Sequence, residues 1–417
     1  MKLRAAYASL DRSARAAFLA SFMGWTLDAF DFFLVTFVAV HIAGDFRTSI
    51  VAVGGAITLT LMFRPLGALI FGWIGDRYGR RTPLMVDILL FSALELLTAF
   101  SPNLLVFIVL RVLYGIAMGG EWGLGAALAM ESLPPQRRGL FSGILQEGYM
   151  VGYLLAALAY FLVFTFTPWG WRGLFVIGAL PALLVFYIRS HVVESPIWQT
   201  RRQERAAPMT VLRAGVKHLP LVLYAILFMA AFNFMAHGTQ DLYATFLQKQ
   251  HGYSAGATAS LSIIAAIGAI LGGIIFGGLS QRFGRRSAIL VCASLAIVVI
   301  PLWMFGSNIA LLAVGAFLMQ FFAQGAWGVV PAHLNEISPP DARGTFPGFT
   351  YQIGNLISAG AFQIEAAFAT THFALPNGGA NYAAAMAIIA LVVLLSVIVL
   401  TAVGYLVTDE RRDATFA

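Results

Sequence analysis

The chain has 417 residues, of which 59% are hydrophobic and only 11% charged, and its formal net charge is +7. Soluble domains are usually about a quarter charged, so this composition excludes an ordinary soluble protein and indicates an integral membrane protein. The positive charge does not require a nucleic-acid partner, because contact with anionic lipid headgroups accounts for it.

Apolar runs of roughly 20 residues, long enough to cross a bilayer as a helix, alternate with short polar loops along the whole chain. Twelve such runs start near residues 17, 51, 83, 104, 140, 172, 218, 255, 288, 309, 343 and 382. The predicted fold class is therefore all-α integral membrane, with twelve transmembrane helices, numbered here as spans 1 to 12.

The basic residues fall mostly on one side of this arrangement. The opposite loops hold only Arg47, Arg172 and Lys249, while Arg64 and Arg111 lie inside spans. Because cytoplasmic loops are enriched in Lys and Arg, both termini are predicted to be cytoplasmic, in a cell membrane. An even number of spans agrees with that orientation.

Three ionisable residues stand out in spans 1 and 2, where each charge costs about 2.5–3.5 kcal/mol on insertion scales. Asp28 and Asp31 are three residues apart near the middle of span 1, and therefore share one face. Arg64, midway along span 2, is predicted to anchor an anion because its guanidinium group stays cationic and donates two parallel hydrogen bonds to a carboxylate. A structural salt bridge to Asp28 or Asp31 is the alternative, and both roles can hold in turn.

Spans 4 and 5 each add one ionisable candidate. Arg111 opens the stretch "RVLYGIAMGG", where regularly spaced glycines allow close helix approach. The residue types leave Arg111 open between a coupling role and a helix-packing role. Glu147 lies about two turns into span 5 and is a candidate for proton coupling.

Span 7 contains "AFNFMAHGTQDLYATFL", residues 231 to 247, in which Asn233, His237, Gln240 and Asp241 share one broad helical face. A helical face with these polar side chains cannot be exposed to lipid. His237 and Asp241 are spaced i, i+4, so the pair can hold or pass one proton near neutral pH. The alternative is a polar clamp between helices without a transport role.

The second half of the chain repeats the first at an offset of 205 residues. "GWIGDRYGRR" (72 to 81) returns as "GGLSQRFGRR" (277 to 286), and "ESLPPQRRGLFSG" (131 to 143) returns as "EISPPDARGTFPG" (336 to 348). The repeat predicts two six-helix bundles, 1–194 and 218–417, joined by a cytoplasmic linker loop, 195–217. At this offset Asn233 corresponds to Asp28 and Gln352 to Glu147, so an amide replaces each acid.

This layout resembles the major facilitator superfamily along the whole chain. The resemblance implies alternating access, a small organic anion and a proton as partners, a monomer in the lipid bilayer, and neither metal nor other cofactor. Conformational gating is assigned by resemblance to the loop after span 2 and to the start of the span-4 motif: Gly72, Asp76, Arg77, Gly79, Arg80 and Arg111. Because Gln281 replaces Asp76 in the second copy, the lock formed by Asp76 should be asymmetric. "VESPIW" (193 to 198) resembles a segment of sugar transporters after span 6.

Within the superfamily, span 7 resembles a signature of fungal lactate/pyruvate permeases, part of the sialate and monocarboxylate proton symporter family. Six of its seven defined positions agree, and the departure is Ala236, which lacks the expected hydroxyl. The seven positions are Asn233, Ala236, His237, Thr239, Gln240, Asp241 and Thr245. "YQIGN" (351 to 355) also resembles that group, which implies substrate recognition by Gln352 and Asn355.

The resulting hypothesis is a proton-coupled symporter of lactate or pyruvate. A proton neutralises an acid in the Asp28/Asp31 or His237/Asp241 set, and the freed Arg64 binds the anion. The open alternatives are symport of a bulkier sialic or aromatic acid, transport without protons, and a membrane sensor that binds the acid without moving it. An enzyme is disfavoured, since no His-Glu-x-x-His or Gly-x-Ser-x-Gly motif occurs.

Overall fold

The computed structural model describes residues 3–48, 50–200, 216–375 and 379–407. Every regular element in these ranges is a helix. Most of the predicted linker loop 195–217 lies outside the described residues, as does the chain after residue 407.

The membrane helices follow the predicted order. Their bounds are Arg12–Asp45 (span 1), Ile50–Tyr78 (span 2), Arg81–Ala99 (span 3), Leu104–Met118 and Glu121–Ser132 (span 4), Arg138–Gln146 and Gly148–Phe166 (span 5), Gly170–Ile177 and Leu184–His191 (span 6), Leu219–Gln240 and Tyr243–Lys249 (span 7), Ala255–Phe283 (span 8), Arg285–Phe305 (span 9), Ile309–Trp327 and Val330–Ile337 (span 10), Phe346–Ser358 and Ala361–Thr371 (span 11) and Tyr382–Val407 (span 12). Short helices also occur at Leu3–Ala8 and Pro196–Thr200.

Eleven of these elements, within the described ranges, are long and apolar enough to cross a membrane. The remaining one is span 11, which two residues divide into Phe346–Ser358 and Ala361–Thr371. Each part alone is shorter than the roughly 20 residues that a crossing helix needs. Span 11 therefore consists of two shorter helices, with its break beside Gly360.

The local structure repeats at the same offset as the sequence. Gly79 and Gly284 both adopt positive φ, 99° and 87°, in the turns after spans 2 and 8. Only glycine takes this conformation without strain, which explains its presence in both copies. Asn103 and Asn308 both cap a following helix, each accepting a bond at 3.0 Å from the backbone N–H three residues later.

Two ion pairs also repeat between the copies. Arg80 binds Glu131 at 3.0 Å, and Arg285 binds Glu336 at 2.7 Å. Because both members of each pair are 205 residues apart from their counterparts, the two copies share side-chain contacts as well as helices.

Contacts divide the chain into two compact units. The first contains Met1–Pro135, Gly148–Leu219 and Ser338–Gln352, and the second contains Gln136–Glu147, Pro220–Ile337 and Ile353–Ala417. The division of the repeat at 194 and 218 stays a prediction.

In the first unit, two apolar clusters fill the space between helices. One contains Phe91, Tyr114 and Ile188, and the other contains Phe107 and Trp171, all buried. Rings of the second cluster meet edge to face, as Phe107 and Trp171 do at 6.2 Å between centroids.

In the second unit, spans 8 and 10 approach closely through glycines. A Cβ at Gly268 would lie 2.3 Å from the carbonyl oxygen of Phe317, and one at Gly272 would lie 1.9 Å from that of Phe321. Small residues let helix backbones meet in a bilayer, where apolar surface alone does not drive association.

Candidate functional site

Arg64 and Asp28 form a buried ion pair between spans 1 and 2. The Arg64 Nη2 donates to Asp28 Oδ2 at 2.7 Å, and the two side chains are 6% and 2% exposed. Arg64 Nε and Asp28 Oδ1 have no hydrogen-bond partner among the residues that the structure describes. The pair therefore keeps further capacity to donate and accept.

Three more buried acids lie in spans 1, 3 and 4. Asp31, Asp87 and Glu121 are each 0% exposed, and neither oxygen of any of them has a hydrogen-bond partner within the described part of the chain. Asp87 and Glu121 lie close enough to Asp28 for their charges to interact. Arg64 thus sits in a strongly acidic environment, in which a charged acid without a partner is costly.

Arg111 has a separate environment in the first unit. Its guanidinium binds the Glu95 carboxylate, donates to the Thr98 hydroxyl at 3.2 Å, and lies 4.0 Å from the centre of the Tyr114 ring. It is 1% exposed. This arrangement ties span 4 to span 3, and the gating role implied by resemblance stays a prediction.

An aromatic group lies close to Arg64, and we call Trp25, Trp122, Tyr149 and Tyr351 the aromatic cluster. Trp122 and Tyr351 stack at 4.5 Å between centroids, and Trp25 contacts the other three rings at 5.6–6.4 Å. Tyr351 is near enough to Arg64 for an electrostatic interaction. The apolar faces and phenol groups of this cluster can contact the tail of an organic acid.

Gln352 follows Tyr351 in span 11 and is 1% exposed. Neither its side-chain oxygen nor its side-chain nitrogen has a partner across residues 3–48, 50–200, 216–375 and 379–407. A buried amide normally makes hydrogen bonds, so Gln352 offers an unused donor and an unused acceptor, as its predicted role requires.

In the second unit, the predicted pair of His237 and Asp241 lies beside Asn355. His237 Nδ1 donates to Asp241 Oδ2 at 3.0 Å, and Nε2 lies 3.5 Å from Asn355 Oδ1. The two members of the ion pair are 34% and 37% exposed. The predicted helical face is interrupted just before Asp241, because the first helix of span 7 ends at Gln240 and the next begins at Tyr243.

Two other predicted polar residues of span 7 make bonds within the protein. Gln240 Nε2 donates to Gln320 Oε1 at 2.8 Å, and Gln320 in turn donates to Thr239 at 3.0–3.1 Å. Asn233 donates to the Met229 carbonyl of its own helix at 2.9 Å. Gln320 fixes the orientation of Gln240, and the only sequence signal for it was its place as one of two amides, with Gln324, within the apolar run of span 10.

Glu147 lies between the two helices of span 5 and is 5% exposed. It packs against span 8, where a Cβ at Gly273 would lie 2.0 Å from Glu147 Oε1. Glycine at 273 therefore makes room for the carboxyl group.

The loop after span 2 contacts the start of span 11, within the first unit. Asp76 accepts from Gly344 N at 2.6 Å, Thr345 N at 3.0 Å and Thr345 Oγ1 at 2.7 Å. A Cβ at Gly72 would lie 2.6 Å from the Thr345 Cα, so glycine is needed at 72. Arg77 is outside this contact and lies over the Tyr78 ring at 5.4 Å.

Arg80 connects that loop to spans 4 and 6. It lies 3.2 Å from Asp76 and 3.0 Å from Glu131. Burial opposes the Arg80 charge, but Glu131 and Asp76 outweigh it and raise the pKa of Arg80. Glu194 accepts from Arg80 N at 2.8 Å, and Ser195 donates to Glu131. The "VESPIW" segment thus completes the loop contacts, a role that the sequence did not assign to individual residues.

No group of three or more His, Cys, Asp or Glu side chains within the described ranges is arranged to hold a metal ion.

This chain is similar in sequence to a known protein family and to individual known proteins. A family model described as Major Facilitator Superfamily matches residues 16–362 and 223–416. The Carboxylic acid transporter protein homolog of Saccharomyces cerevisiae is 31% identical over 84% of this chain and 60% of its own length. This chain therefore spans less than two thirds of that relative. The Probable 4-methylmuconolactone transporter of Cupriavidus pinatubonensis is 31% identical over 87% of this chain and 85% of its own length.

Among solved structures, the proton:xylose symporter XylE of E. coli matches with a TM-score of 0.76 over 97% of this chain and 99% of that one. The sequence identity is 18%, so this similarity concerns the fold alone. It confirms the predicted fold class and a multi-pass membrane protein.

Proposed function

Because the chain belongs to the major facilitator superfamily, we propose that it is a symporter carrying a short monocarboxylate, such as lactate or pyruvate, together with a proton. Relatives named as carboxylic acid, sialic acid and shikimate transporters support an organic acid as substrate. The observation that carries the proposal is the buried Arg64–Asp28 pair inside membrane helices. In this pair the Arg64 guanidinium already binds one carboxylate, that of Asp28.

The proposed cycle exchanges one carboxylate for another on Arg64. A proton that neutralises Asp28 removes the partner charge, and the guanidinium then binds the substrate carboxylate through two parallel hydrogen bonds. One proton and one monoanion cross together, so no net charge moves. The protonated site without substrate keeps the uncompensated Arg64 charge, which is costly in a closed cavity of low dielectric, whereas the loaded site and the empty ion pair carry no net charge; closure is thereby coupled to loading.

The other predicted residues have proposed roles in the same alternating-access cycle. Asn233, Gln240, Gln352 and Asn355 hydrogen-bond the substrate, with His237. Proton coupling is proposed for Asp28, Asp31, Glu147, His237 and Asp241, and gating for Gly72, Asp76, Arg77, Gly79, Arg80 and Arg111. We further propose a monomer in a cell membrane with both termini in the cytoplasm.

The test is labelled lactate uptake into proteoliposomes, with competing pyruvate, lactamide, sialic acid and niacin. Pyruvate should compete, whereas lactamide should not, because it lacks the carboxylate that Arg64 binds. Arg64→Lys keeps the positive charge but removes the two parallel N–H donors that a guanidinium group offers to a carboxylate. The loss of a charge-assisted hydrogen bond, about 1.5–3 kcal/mol, should weaken lactate binding about ten- to a hundredfold.

The matched control is Arg172→Lys, at a side chain that is 40% exposed and outside the proposed site. It should leave uptake unchanged. Unaltered lactate uptake by Arg64→Ala would contradict the proposal.

A bulkier acid is the second candidate, and the aromatic cluster favours it. The four rings of this cluster, of which Tyr351 is near Arg64, provide more stacking surface than a lactate methyl group uses. Competition by sialic acid or niacin, with none by pyruvate, would select this candidate in the same vesicles.

A further inference from the structure

Glu365, in the second helix of span 11, is an enclosed acid without a role in the cycle above. Its side chain is 0% exposed, and neither carboxylate oxygen has a hydrogen-bond partner among the described residues. No ion pair within the described ranges includes it. An acid in this setting either stays neutral or binds and releases a proton, because its charged form lacks compensation.

The carboxyl group lies against span 7 at Gly238. A Cβ at Gly238 would be 3.1 Å from Glu365 Oε1, so the absence of a side chain at 238 makes room for the acid. Gly238 follows His237 directly. Glu365 therefore packs against the turn of helix that carries the His237–Asp241 pair.

Two helices present groups to Glu365 at this place. From span 7, Asp241 is near enough for repulsion between the two carboxylates, and His237 is bonded to Asp241. From span 12, Ile389 lies 3.8 Å from the same Cβ position and is apolar. The described surroundings therefore contain two acids and one imidazole.

Charge balance in this group requires a proton on one acid. An imidazolium at His237 compensates one carboxylate, and the other carboxylate then carries an uncompensated charge unless it is protonated. His237 and Asp241 are about a third exposed, whereas Glu365 is enclosed. The ion pair is thus the accessible end of the group, and Glu365 is the buried end.

We propose that Glu365 is a proton-binding site, filled through His237 and Asp241, that holds the symported proton at a different step of the cycle from the one in which that proton neutralises Asp28. The proton moves from the His237 imidazolium to the Glu365 carboxylate, leaving a neutral carboxylic acid, and a second proton taken up from solution at the exposed His237 restores the imidazolium that compensates Asp241. This inference rests on the proposed proton symport and adds the residue that stores the proton.

The experiment compares unsubstituted protein with Glu365→Gln, Glu365→Asp and Gln363→Ala, the last at an exposed position of the same helix. Three quantities are measured: lactate accumulation driven by an inward proton gradient, exchange of labelled for unlabelled lactate without a gradient, and the infrared band of protonated carboxylic acids during a pH titration of purified protein. The infrared measurement does not depend on the substrate.

Glu365→Gln should lose gradient-driven accumulation and keep exchange, and it should lack one titrating carboxylic-acid band. Glu365→Asp should recover part of the accumulation, and Gln363→Ala should behave as unsubstituted protein. Full accumulation by Glu365→Gln, or an identical infrared titration, would overturn the inference. If unsubstituted protein moves no lactate, the proposed substrate fails, and the infrared titration alone decides whether Glu365 binds a proton.

Discussion

Arg64 and Asp28 depend on each other because both are enclosed and oppositely charged. Removing one partner of a buried pair leaves the other charge uncompensated, which costs about 3–5 kcal/mol. The residues around them add acids rather than cations. The pair is therefore a stability element as well as the proposed anion site.

We expect Arg64→Ala to destabilise the protein by about 3–5 kcal/mol, because it leaves the Asp28 carboxylate buried without its cation. The double variant Arg64→Ala/Asp28→Asn should recover much of that loss, since an amide carries no charge. Thermal unfolding in detergent measures the stability of both variants. Equal unfolding temperatures for the single and double variants would show that Asp28 does not need Arg64 for stability.

At this scale the sequence predicted two of the pairs, with Asp28 as one of two possible partners of Arg64 and Asp241 as the partner of His237. Arg64 and Asp28 were both identified as ionisable groups at matching depth, and His237 and Asp241 by their spacing. The Glu95–Arg111 pair and the position of Glu365 beside Gly238 depend on the rotation of neighbouring helices. Hydropathy and spacing carry no information about that rotation.

At the scale of elements, six spans are interrupted within the described ranges, and three of these interruptions lie at or near candidate residues. Span 5 divides at Glu147, span 7 after Gln240, and span 11 before Ala361. The number and order of spans followed from apolar runs, because each must cover the thickness of a bilayer. The breaks did not, since no proline or charge run marks them in the sequence.

Span 8 offers a test of glycine-mediated packing. Gly272→Ala should destabilise the protein by about 1–3 kcal/mol, because the added Cβ would meet the Phe321 carbonyl at 1.9 Å. Gly278→Ala in the same helix is the control, since its Cβ would meet only the Leu140 side chain at an ordinary 3.5 Å. That control should be neutral or stabilising by about 0.5–1 kcal/mol. Equal thermal stability of the two variants would contradict this packing.

At the scale of the whole molecule, the two copies of the repeat share a framework and differ in chemistry. The turn glycines, helix caps and ion pairs recur at the 205-residue offset. Asp76 accepts three bonds from Gly344 and Thr345, whereas Gln281 accepts one from Gly139 and one from Arg285. Asp76 and Gln281 thus accept from different partners, and the asymmetric lock itself stays a prediction.

The same difference runs through the candidate sites. Acids in the first copy, Asp28 and Glu147, correspond to the amides Asn233 and Gln352 in the second. The proposed symport assigns charge chemistry to the acidic positions and hydrogen bonding to the amides. Its central claim is that one proton accompanies each monocarboxylate.

The most direct measurement records lactate uptake and internal pH together in proteoliposomes with an imposed inward proton gradient. The account predicts that lactate accumulates, that one proton enters with each lactate, and that membrane potential leaves the rate unchanged because no net charge moves. His237→Ala and Arg64→Ala should abolish the linked flux. Lactate entry without proton entry, or intact linked flux in both variants, would contradict proton-coupled symport at these residues.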